Sequence, residues 1–113
     1  MKMAMQEKEK RKVAFRKATE AVIACRRFTS SGTTHTVDGI MRNYSEEGSY
    51  IETSRKFKLG AILFLRMVHY PLRSLSVAAE ELPRSICVAE VKWWKEMAIE
   101  NTIRYGFGLR YLD

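Results

Sequence analysis

The stretch Phe57-Lys-Leu-Gly-Ala-Ile-Leu-Phe-Leu-Arg-Met-Val constrains the fold more than any other, because it is apolar on nearly every face. An element apolar all round must be covered on all sides, so it belongs at the centre of the molecule. Ser49 and Glu52 stand at capping-box spacing just before it. Pro71 pushes the residue ahead of it out of the helical region. Together these features predict a central helix over about residues 50–69, with Phe64 in the core. The uninterrupted apolar run, Leu59 to Leu65, ends at Arg66. That is far short of the ~20 residues a membrane span needs, so a soluble protein is expected.

The other segments read as helices around this centre. Ala14, Ala18, Ala21, Cys25 and Phe28 recur at spacings of three and four, which predicts a helix over 4–28. The hydroxyl-rich stretch 29–37 favours a loop. Asp38 is placed to cap a short helix from Gly39 to about Tyr44, and another short helix is expected from Leu72 to Leu82. Ser85 would open a last long helix, about 86–103. Ile86, Glu90, Trp93 and Met97 form one of its stripes; Cys87, Val91, Trp94 and Ala98 form the next. The chain has 113 residues, 46% of them hydrophobic, enough to build one core. The expected fold is therefore all-α: a single domain, 1–113, forming a small helical bundle of three long helices and one or two short ones.

The tail departs from this pattern. Ile103, Tyr105, Phe107, Leu109 and Tyr111 alternate with Arg104, Gly106, Gly108 and Arg110, the two-residue period of an extended strand. With no other strand expected, residues 104–113 read as an arm that finds its hydrogen bonds on another chain. The docking residues would be Arg104, Tyr105, Phe107, Leu109, Arg110 and Tyr111.

Charge is the main functional signal. Residues 1–28 hold nine Lys or Arg against three Glu, a net of +6, whereas residues 29–113 hold eleven against ten acids, a net of +1. Such concentration calls for an anionic partner, either RNA or an acidic protein surface. The candidate contacts are Lys8, Lys10, Arg11, Lys12, Arg16, Lys17, Arg26 and Arg27 on a basic N-terminal helix, 1–28. The function expected is that of a non-catalytic subunit or adaptor in a larger protein or ribonucleoprotein assembly. Residues 72–97 also resemble a helix-turn-helix, with a turn at Pro83 to Ser85. That resemblance implies the alternative of a DNA-binding regulator.

Catalytic signals are missing. His35 and His69 have no Cys or carboxylate at metal-ligand spacing, and no glycine-rich phosphate loop or nucleophile elbow occurs. No enzyme activity, cofactor or metal is expected. Cys25 and Cys87 read as reduced core residues, which suits an intracellular compartment: cytoplasm, nucleus or mitochondrial matrix.

Overall fold

A computed structural model describes residues 17–28, 35–69 and 85–113. Six antiparallel strands form a closed barrel: β1 (Lys17–Arg27), β2 (Val37–Tyr44), β3 (Gly48–Thr53), β4 (Ile62–His69), β5 (Ile86–Ile99) and β6 (Thr102–Tyr111). Around the barrel the order is β1-β2-β3-β6-β5-β4. Two three-stranded meanders, β1-β2-β3 and β4-β5-β6, are thus joined along the seams β3–β6 and β1–β4.

The all-α expectation is overturned. The central helix 50–69 is replaced by the end of β3, a connector and β4; the helix 86–103 by β5 and its turn. The short helix 39–44 lies within β2, and the described part of the helix 4–28 is β1. β4 shows why the apolar stretch misleads. Leu63 and Leu65 point into the barrel, while Ile62 and Phe64 on the outer wall are only partly covered. A strand with apolar residues on both faces has the same unbroken hydrophobic run as a buried helix. Phe64 is thereby moved out of the core.

The interior is filled by alternate residues of every strand, as a small barrel requires. Ile23 and Cys25 come from β1, Met41 from β2, Ile51 from β3, Leu63 and Leu65 from β4, Ala89 and Val91 from β5, and Phe107 and Leu109 from β6. Phe57, on the β3–β4 connector, plugs one end with its ring 5.5 Å from that of Phe107, edge to face. Hydrogen bonds pin the connector beneath β5: Gly60 N–H donates to Val91 O (2.8 Å), and Val91 N–H donates to Ala61 O (2.9 Å). Gly60 has φ of 85°, a left-handed conformation that glycine adopts without cost.

The tail alternates as the sequence predicts, but its partners lie in its own chain. β6 pairs with β3 along one edge and β5 along the other. Phe107, Leu109 and Tyr111 are buried, and Tyr105 packs against the same core. They belong to a barrel strand and not to a free arm; Arg104, Arg110 and the two glycines between them take the outward positions, and Ile103 at the start of the strand is half exposed.

Candidate functional site

Lys8, Lys10, Arg11, Lys12 and Arg16 lie outside the described residues, but the chain they belong to is anchored at a definite place. Lys17 opens β1 and pairs with Tyr44; Ala18 pairs with Asn43. The basic segment therefore joins the barrel beside the β2–β3 turn. Covalent geometry keeps Lys12 within about 18 Å of Lys17. Arg26 and Arg27 close the same strand at its far end, roughly 30 Å away. Of the eight candidate cations, the three whose backbone is described therefore stand at opposite ends of β1, Lys17 at this rim and Arg26 and Arg27 at the other.

The turn itself is tightly built. Ser45 N–H donates to Gly48 O (2.8 Å), and Glu47 N–H donates to Ser45 Oγ (3.1 Å). Tyr111 N–H then donates to Glu47 O (2.8 Å), tying the turn to the end of β6. A Cβ at Gly48 would collide with the Leu109 carbonyl, so the close approach of β3 to β6 requires glycine there.

From this rim a row of cross-strand neighbours runs around the outside of the barrel: Ala18–Asn43, Asn43–Tyr50, Tyr50–Gly108 and Gly108–Trp93. At the far end of the row lie two aromatic rings. Tyr50 and Trp93 are near-parallel, at 17°, with centroids 5.6 Å apart. Each lies across a glycine of β6: a Cβ at Gly106 would overlap the Tyr50 ring, and one at Gly108 the Trp93 indole. The two glycines remove the side chains that would otherwise stand in this wall, so the rings lie flat on the sheet. Trp93 keeps 47% of its surface exposed, a large value for an indole.

Charges frame the rings. The Lys95 ammonium sits 5.4 Å from the Tyr50 ring centroid. Arg42 Nε donates to Glu52 Oε1 at 3.0 Å, and its Nη1 lies 3.6 Å from Glu20 Oε2. Tyr50 Oη donates to Glu52 Oε2 at 3.1 Å. Burial pushes the Tyr50 phenol up to about 12, and the neighbouring Glu52 carboxylate adds to the rise. Glu52 therefore holds Arg42 and Tyr50 in fixed positions, and Arg104 Nη2 donates to its backbone carbonyl (3.3 Å).

The remaining candidates do not converge. His35 and His69 are exposed and sit apart from any cluster. Among the described residues, no group of three or more His, Cys, Asp and Glu is positioned to hold a metal. Cys25 and Cys87 are buried and in no disulfide, and each pairs with Leu65 from opposite sides. That puts their Cα atoms about 9.6 Å apart, two strand spacings, beyond disulfide reach. Burial pushes the Cys25 thiol up to about 12, with Asp38 adding to the effect. A thiol held protonated is a poor nucleophile.

The helix-turn-helix resemblance loses its second helix. Residues 86–97 lie in β5, so no recognition helix forms there; residues 72–84 are outside the described residues. No helix among the described residues is long and apolar enough to cross a membrane. Comparisons with protein-family models, with curated proteins and with solved structures find no match.

Sequence reasoning missed Tyr50, Trp93 and Lys95 as a group. A signal was present in Gly106-Phe-Gly108, where glycine occupies every outward position between Arg104 and Arg110. Glycines spaced by two on a strand face mark a place where something lies close to the backbone.

Proposed function

We propose that this chain is a non-catalytic binding module whose ligand is a nucleotide, with its phosphates on the basic N-terminal segment and a base on the Tyr50–Trp93 pavement. The observation that carries this reading is the exposed ring pair itself, with the row Ala18–Asn43–Tyr50 placing the start of β1 two strands from the Tyr50 ring. Cations beside flat aromatic faces are the combination that recognises unpaired bases linked by phosphates. An acidic protein surface would use the cations and leave the rings without a role.

The dimensions favour a small ligand. Two strand spacings separate Ala18 from Tyr50, about 10 Å around the barrel surface. That accommodates a dinucleotide or a short stretch of single-stranded RNA. A long RNA tract would need cations spread over the barrel, whereas residues 29–113 carry a net charge of only +1.

The test is a titration of the full chain with a dinucleotide, a short single-stranded RNA and a duplex DNA, followed by tryptophan fluorescence. The single-stranded ligands are expected to quench Trp93 and the duplex to be weaker. Trp93→Ala should cost about 1–3 kcal/mol of binding, the usual value of one stacked base. Neutralising Lys10, Arg11, Lys12, Arg16 and Lys17 together should flatten the salt dependence. Equal binding of all three ligands, unchanged by Trp93→Ala, would leave only nonspecific charge attraction and sink the proposal.

A further inference from the structure

The opposite wall, built from β1, β4 and the start of β5, has a different chemistry. Its outward rows are Ala24–Arg66–Ile86 and Arg26–Phe64–Val88, continued by Phe28, whose N–H donates to Ile62 O at 2.8 Å. Phe28, Val68 and Ile86 are each more than half exposed (55%, 52% and 53%). Large apolar side chains exposed together on one sheet face mark an interaction surface.

Two guanidiniums stand in the middle of it. Arg26 lies over the Phe64 ring, 5.0 Å from its centroid, and Arg66 is its diagonal neighbour on β4. Together they flank a shallow cleft with Thr36. Neither makes an ion pair with a described carboxylate. Asp38 faces Ala24 from β2 without closing to ion-pair distance, and Glu90, at the edge, is taken up by Lys92 (3.8 Å).

We infer that this wall docks an acidic, amphipathic segment of a partner protein, whose apolar side chains cover Phe28, Val68 and Ile86 and whose carboxylates engage Arg26 and Arg66. Charge complementarity selects that occupant. A second copy of the chain, docked about a two-fold axis, would bring the same arginines toward one another. A nucleic acid would meet the arginines but set hydrated phosphates against exposed Phe, Val and Ile. A strand cannot add within this wall, because β1, β4 and the start of β5 are already paired with one another there. The partner therefore has to lay side chains on this face, as an amphipathic helix does in a groove.

A charge-swap experiment tests this. The full chain is titrated with a synthetic amphipathic Leu/Glu peptide and with its Leu/Lys counterpart, and binding is followed by calorimetry and by amide chemical shifts. The Leu/Glu peptide is expected to bind and to shift amides of β1, β4 and the start of β5. The double variant Arg26→Glu, Arg66→Glu should lose about tenfold or more of that affinity and gain affinity for the Leu/Lys peptide. Equal binding of both peptides to the parent chain, or binding untouched by the swap, overturns the proposal. So does a face already filled by the chain's own Glu80 and Glu81. In that case the double variant would melt well below the parent, and Glu80→Arg with Glu81→Arg would restore its melting temperature.

Discussion

The two walls of this barrel share one interior and differ in almost everything else. The β3–β6–β5 wall is floored by Gly106 and Gly108, paved by Tyr50 and Trp93, and has Lys95 and the Arg42–Glu52 pair around it. The β1–β4–β5 wall has no glycine floor; its aliphatic and phenyl side chains stand off the sheet around Arg26 and Arg66. One wall offers flat faces and the other offers protruding side chains. The same closed scaffold therefore carries two surfaces of different chemistry, each of which can vary without disturbing the other.

The strongest test of a shared interior is Phe107→Ala. This ring is fully buried between the two walls, so its loss should destabilise the fold by about 3–5 kcal/mol. Denaturant melts followed by both tryptophan fluorescence and circular dichroism should report one common transition. Separate transitions for the two probes would mean that the walls are independent units.

Gly108→Val should act on one wall only. The added side chain would occupy the space of the Trp93 indole, costing about 1–3 kcal/mol of stability through overpacking. Nucleotide binding should fall with it, while Leu/Glu peptide binding on the opposite wall stays intact. Loss of both activities in the folded protein would break the contrast.

Alkaline pH separates interior from surface in another way. The Cys25 thiol is raised from 9.0 to about 12 in the folded chain, so the unfolded chain ionises first. The stabilising contribution is complete below pH 9 and is lost as pH climbs toward 12. In that window stability should fall by up to about 1.4 kcal/mol per pH unit. Cys25→Ala should remove the part that begins near pH 9. Tyr50, raised from 10.0 to about 12, adds a loss of the same sign beginning later, near pH 10, and Tyr50→Phe should remove it. Urea melts across this range would show whether the two onsets are distinct.

The smallest effect is expected from Phe64→Ala. The ring is only partly covered on the outer wall, so about 1 kcal/mol should be lost. Nucleotide binding should not change. A loss as large as that of Phe107→Ala would return Phe64 to the core and erase the distinction between wall and interior.

How much of this was legible in the sequence depends on the strand. β6 was readable because its inward residues Tyr105, Phe107, Leu109 and Tyr111 alternate without interruption. β5 was not, because its register shifts between Val91 and Trp93. Core-packing Cys87, Ala89 and Val91 step by two and the bulge then adds one residue, so Cys87, Val91 and Trp94 fall at spacings of four and then three. That is the spacing of a helix face. β1 carries a similar shift between Ala18 and Ala21, and β2 one between Met41 and Asn43, which puts buried Met41 and Tyr44 three apart. Helical periodicity here is two-residue alternation broken by bulges. For the candidate site, the concentration of charge near the N-terminus was visible. That β1, which follows it, starts beside the β2–β3 turn was not, since that rests on a pairing between residues 17 and 44.

The two seams also have a kinetic meaning. Hairpins β1–β2, β2–β3 and β5–β6 join residues close in the chain, whereas Gly48 must find Arg110 and Arg27 must find Leu63. Closing long loops costs entropy before the new contacts return any stability, so such pairings form late. Each meander can assemble early as an open sheet, and the barrel appears only when both seams shut. Until then the β3 and β6 edges are unpaired, and during that interval the chain is open to the wrong neighbour. Gly48, which allows the β3–β6 seam to close at its tightest point, therefore sits where the chain's exposure to aggregation ends.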